Sequence, residues 1–86
     1  MTVQYTPDFK KQYKKLQKKF RARFDERLNL FLEHPTHPLL RVHPLKGSFA
    51  GYWSMNITGD IRALYRMDGN DSIIFALIGT HSRLYG

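Results

Sequence analysis

Between residues 8 and 34 the chain carries neither glycine nor proline, and its apolar residues Phe9, Tyr13, Leu16, Phe20, Phe24, Leu28 and Phe31 recur at spacings of three and four. That spacing returns side chains to one face of an α-helix, so the segment predicts helix and excludes strand. Thr6-Pro7-Asp8 reads as its start: a hydroxyl N-cap, a proline at the first helical position, and an acid at the positive end of the helix dipole. His34-Pro35 reads as its end, because proline disfavours helical backbone in the residue before it. One helix of that length would dwarf a chain of 86 residues, so a break is expected near residues 17–21, giving two helices.

Beyond Pro35 and Pro38 the period changes to two. Trp53, Met55 and Ile57 alternate with Tyr52, Ser54 and Asn56, and Ile61, Ala63 and Tyr65 alternate with Arg62, Leu64 and Arg66. Alternation of this kind marks half-buried strands, with Thr58-Gly59-Asp60 as the hairpin loop between them. Pairing Ile57 with Ile61 on the inner face sets Asn56 opposite Arg62, Ser54 opposite Leu64 and Tyr52 opposite Arg66 on the outer one. Trp53 then belongs to the core. Asp68-Gly69-Asn70-Asp71 is the next turn, and residues 72–78 are apolar on both faces, as in a central strand whose register the pattern leaves open. Val3-Gln4-Tyr5 adds a short strand before the helices. The expected fold class is α+β: one domain over residues 1–86, with two N-terminal helices packed on one face of a small antiparallel sheet. The other face is open, polar, aromatic and basic.

Charge narrows the function. Fourteen Lys and Arg against seven Asp and Glu give a net charge of +7 and a pI near 10.0, which favours an anionic partner, nucleic acid or acidic protein. Lysines 10, 11, 14, 15, 18 and 19 form two rows away from Phe9, Tyr13 and Leu16; Lys10, Lys14 and Lys18 are candidate RNA contacts, against the plainer reading of a solvated face. With no cysteine there is neither disulfide nor thiolate chemistry. No run approaches the roughly 20 apolar residues of a membrane helix, and the first residues lack the apolar centre of a signal peptide. A cytoplasmic protein without membrane contact is expected.

The four histidines show no i, i+4 pair on a helix and no HExxH pattern, so no metal or other cofactor is expected; His34 and His37 sit in the Pro-rich connection with local roles. No glycine-rich phosphate loop and no Gly-x-Ser-x-Gly elbow is present. His43, in "RVHPLKGSFAGYWS", and His81, in "ALIGTHSRLYG", each follow an apolar segment. Two histidines and an arginine on an open basic face are the minimal parts of a ribonuclease: a base for the ribose 2′-OH, an acid for the leaving 5′-oxygen, and a guanidinium for the phosphate. Two surface histidines without special function are the alternative.

"LKGSFAGYWSMNIT" followed by "DIRALYR" resembles the YoeB-type strand pair, while "HPLKGS" and the closing "GTHSRLY" resemble the YafQ type. In order and spacing, these stretches make the chain similar to the RelE/ParE superfamily of bacterial type II toxins over nearly its whole length. The resemblance implies a RelE-like microbial ribonuclease fold and a ribosome-dependent endoribonuclease that cuts mRNA in the A site. It implies neutralisation by a cognate acidic antitoxin, with a monomeric free toxin and an oligomeric complex. It carries catalytic roles to His43, Asp60, Arg62, His81 and Tyr85, with the base left open between His43 and Asp60, Arg62 on the phosphate, His81 as acid and Tyr85 as a stacking ring. Asn56 departs from the histidine that YafQ-like toxins can have there. Lys46, Arg66 and Arg83 are expected to hold RNA phosphates, as is Asn56 to touch RNA. The plainer readings are a loop residue for Asp60, an ion-pair partner for Arg62 and a packing residue for Tyr85. A ParE-like gyrase inhibitor without nuclease activity is the competing function.

Overall fold

The structure, a computed structural model, describes residues 1–85. In chain order the elements are β1 (Thr2–Tyr5), α1 (Pro7–Lys15), α2 (Lys18–Glu33), a 3₁₀ turn (Pro38–Leu40), β2 (His43–Pro44), a second 3₁₀ turn (Gly47–Phe49), β3 (Trp53–Asn56), β4 (Ile61–Asp68), β5 (Ser72–Thr80) and α3 (His81–Tyr85). Thr6 caps α1 as its sequence predicts: its hydroxyl oxygen accepts from the Phe9 N–H at 3.1 Å. The helical segment breaks at Leu16 and Gln17, both of extended backbone, and the free Leu16 carbonyl accepts from the Arg21 guanidinium.

The five strands run in the order β1-β5-β4-β3-β2. Helices α1 and α2 cover one face, where Phe9, Phe24 and Phe31 pack with Met55, Ile57, Ile61, Ala63, Tyr65, Ile73, Phe75 and Ile78. Phe24 stands edge-on to Phe75 at 5.2 Å between ring centroids and lies 5.3 Å from Phe9. Aromatic pairs at such spacing prefer offset or edge-to-face geometry, which fixes helix against sheet more sharply than aliphatic contact would.

A bulge explains the missing alternation in β5. Leu64 pairs with Leu77 but Tyr65 with Phe75, leaving Ala76 without a partner on β4. The phase shifts there, so Ile73, Phe75 and Ile78 all reach the core. Polar groups at the bulge and just beyond it are met by α1 and its cap: the Thr6 hydroxyl donates to the Ala76 carbonyl at 2.7 Å, and the Ile78 N–H donates to the Gln12 side-chain oxygen at 2.8 Å.

Several expectations change. The sheet is mixed, because β1 pairs parallel to β5; alternation at Val3 and Tyr5 marks a strand but carries no direction. The β3–β4 ladder sets Asn56 opposite Arg62 and Ser54 opposite Leu64, but β3 starts at Trp53, and the Tyr52 carbonyl accepts instead from the Leu45 N–H at 2.9 Å. The outer face is only partly open. Ser54 and Leu64 are buried on it. A third, short helix, α3, follows β5 where a released tail was expected, and a Cβ on Gly79 would touch the Leu84 side chain at 3.7 Å. Trp53 leaves the core: it lies opposite Tyr65 but is 37% exposed, since only the two-residue β2 flanks β3 on that side.

Candidate active site

The outer face carries a cleft of about 520 Å³ lined by Arg41, His43, Leu45, Ser54, Asn56, Arg62, His81 and Tyr85. Three separate parts of the chain build it: the segment through β2, the β3–β4 hairpin, and the junction of β5 with α3. Among the described residues no carboxylate lines it, so two guanidinium groups and two imidazoles meet without a countercharge.

His43 is oriented by its own backbone. Its Nδ1 lies 2.9 Å from the Arg41 carbonyl oxygen. A carbonyl can only accept, so Nδ1 carries the proton, and in the neutral ring Nε2 holds the free lone pair. The bond depends on an unusual conformation: Arg41, which ends the 3₁₀ turn, has φ 45° and ψ 44°, the one positive φ of a non-glycine residue described. Such backbone costs a side-chain-bearing residue about 1–3 kcal/mol and tends to occur where geometry serves a site.

Arg62 is held as firmly. Its guanidinium donates to the carbonyls of Thr58 at 3.0 Å, Ile61 at 3.2 Å and Gly59 at 3.2 Å, so the hairpin loop grips the side chain. The ion-pair reading of Arg62 fails, because among the described residues no acid bridges it. His81 opens α3, and its N–H donates to the Asp60 carbonyl at 3.0 Å, fastening the helix to the hairpin. The His81 and Tyr85 rings lie 4.7 Å apart, and Tyr85 also stands edge-on to Phe49 at 5.7 Å. Tyr85 thus lines the cleft and packs at once. Ser54, paired across the strands with His43, is 1% exposed, and its Oγ has no hydrogen-bond partner in the protein. A buried hydroxyl without a partner in the protein is uncommon.

Of the residues singled out in the sequence, His43, Asn56, Arg62, His81 and Tyr85 come together at the cleft. Asp60 does not line it; its exposed side chain stays in the hairpin loop and its carbonyl serves His81. Lys46, Arg66 and Arg83 also lie outside the lining. Lys10 and Lys14 border a different groove, floored by Tyr5, Phe9, Tyr13 and Phe24, and Lys18 borders neither. Arg41 and Ser54 are cleft residues that the sequence reading passes over. A basic residue two before His43 is a visible signal for the first; nothing in the pattern distinguishes Ser54.

The model of a family described as bacterial toxin of type II toxin-antitoxin system, YafQ, matches residues 1–86. The chain belongs to the YafQ toxin family. Among solved structures it is similar to YafQ from E. coli strain BL21(DE3), at 24% identity over 98% of this chain and 97% of that one, with a TM-score of 0.84. It is similar also to a YoeB/ParE toxin from Agrobacterium tumefaciens, at 25% identity over 94% and 99% of the two chains and a TM-score of 0.79. YafQ in the E. coli DinJ-YafQ complex matches at 24% identity, 98% and 97% coverage and a TM-score of 0.80. No curated protein matches the chain by sequence. The YafQ-type and YoeB-type stretches of the sequence thus sit on a fold that solved structures of both types share.

Proposed function

We propose that this YafQ-family toxin is a metal-independent endoribonuclease that cuts mRNA in the ribosomal A site. The observation that supports it is the cleft itself, where an oriented imidazole, a second imidazole and two guanidinium groups converge with no carboxylate among them. His43 Nε2 takes the proton from the ribose 2′-OH, and the 2′-oxygen attacks the adjacent phosphorus. Protonated His81 gives its proton to the leaving 5′-oxygen as the P–O5′ bond breaks, and a 2′,3′-cyclic phosphate remains that water opens to a 3′-phosphate. Arg62, already immobilised by three carbonyls, stabilises the charge that develops on the phosphoryl oxygens without reorganising. Tyr85 stacks on a base. The internal nucleophile makes a metal unnecessary. Between the two candidate bases the geometry favours His43, since Asp60 stays outside the cleft.

The existence of a DinJ-YafQ complex supports a cognate antitoxin for this chain, and the net charge of +7 supports an acidic one. Overproduction of the wild-type protein should arrest growth and leave discrete in-frame cuts in message, read by primer extension. His81→Ala should restore growth while leaving antitoxin binding intact. Undiminished toxicity of that variant removes His81 from the mechanism, and intact message with DNA damage favours gyrase poisoning instead.

A further inference from the structure

A second, smaller cleft of about 360 Å³ adjoins the first and shares Arg41, Asn56 and Arg62 with it. Its other side is helix α2, which contributes Arg23 and Arg27, while the floor comes from the hairpin at Thr58 and Gly59. Four guanidinium groups from three elements therefore border one small space where the helix layer meets the rim of the sheet. Of the four, only Arg23 has a carboxylate partner among the described residues, Glu26 at 3.5 Å within the same helix. Arg62 is held by loop carbonyls, but like charges lining one space cost Coulomb energy against one another, and among the described residues no carboxylate lines it. Planar guanidinium groups match phosphate oxygens in bidentate fashion, so a phosphodiester is the ligand class that would relieve the repulsion.

We infer that this arginine cleft is a phosphate subsite: it holds a backbone phosphate of the RNA strand next to the one being cut, with Arg41 and Arg62 bridging the two positions. The inference rests on the ribonuclease reading and deepens it. It separates the arginines of α2 from the lysines of α1, which border the groove with Phe9 and Phe24 and are left out of the RNA path.

The test uses an RNA oligonucleotide with 2′-O-methyl riboses throughout, which no 2′-oxygen attack can cut, followed by fluorescence anisotropy from about 50 to about 200 mM salt. Arg23→Gln/Arg27→Gln should weaken binding about 5- to 10-fold and lower the salt slope by about 0.7, the value of one single-strand phosphate contact. Lys10→Gln/Lys14→Gln removes the same charge from α1 and should change both far less; Arg23→Lys/Arg27→Lys should fall in between. An equal loss in the lysine variant, or none in the arginine variant, overturns the subsite, and so does a loss confined to an RNA hairpin duplex of the same length, which would place structured RNA there. On programmed ribosomes the arginine variant should raise KM with kcat unchanged, as for lost uniform binding. If His81→Ala still cuts, the catalytic assignment fails while the binding result stands by itself.

Discussion

Replacing Thr6 with valine keeps the shape of the side chain and removes its hydroxyl, which does two jobs. The oxygen accepts from the Phe9 N–H and so caps α1; the proton goes to the Ala76 carbonyl, freed from the ladder by the bulge in β5. Loss of an N-cap costs about 0.5–2 kcal/mol, and a half-buried carbonyl left without its donor costs about 1–3 kcal/mol more. Together, Thr6→Val should destabilise the fold by about 1.5–5 kcal/mol. At about 4–8 °C per kcal/mol for a domain of this size, Tm should fall by about 6–40 °C, measured by circular dichroism. Thr6→Ser, which keeps both bonds, should stay within about 1 kcal/mol of wild type. The change should also reach the cleft, because the bulge sets the phase in which β5 delivers Gly79 beside Arg62 and then His81. Faster exchange of the Ile78 amide, bonded to Gln12 two turns along α1, would report the loosening. A Thr6→Val protein within 1 kcal/mol of wild type, with Ile78 exchange unchanged, would falsify the view that α1 pins the bulge.

Other outcomes follow from the same structure. Ser54→Ala removes a buried hydroxyl that has no partner in the protein, so stability in urea unfolding should hold or rise by up to about 1 kcal/mol, and a destabilised variant would show that the hydroxyl is bonded after all. Arg41→Gly should be about 1 kcal/mol more stable than Arg41→Ala in urea, since glycine adopts the left-handed backbone freely. Equal stability of the two would mean that the turn is not strained. Burial pushes the Tyr65 phenol up to about 12, from 10.0. The unfolded chain then releases its proton first, so stability is full below pH 10 and falls through the window from 10 to 12 by about 1.4 kcal/mol per pH unit. The same burial raises Tyr5 and Tyr13, which add in the same direction. Tyr65→Phe should flatten that decline in alkaline denaturation, and an unchanged slope would show that Tyr65 ionises in the folded state.

Much of the fold was legible because it depends on short-range pattern. The spacing from Phe9 to Phe31, the Thr6-Pro7 start and the alternation around Met55 and Ala63 all translate into observed elements. The break between helices was legible only as a length argument, and it falls at Leu16–Gln17. What escaped depends on distant partners. The parallel pairing of β1, the bulge at Ala76 and the burial of Ser54 arise from contacts between residues far apart in the chain. Trp53 shows the limit of parity: alternation gives its face, but exposure depends on how wide the sheet is beyond it. In the cleft, residue types pointed to His43, Arg62 and His81. The charge of Arg41 two residues before His43 was visible, but its place in the cleft follows from a left-handed backbone that arginine seldom adopts.

His43 lies on β2, the last strand of the sheet and only two residues long. The cleft therefore has a floor and an inner side but no strand beyond β2 to close its outer one. A polymer can be laid into such a site sideways, at any point along its length, without threading a free end. Under the proposed ribonuclease function, selection of the bond to be cut would then fall to whatever presents the strand, a choice that an unwalled cleft leaves to a larger partner.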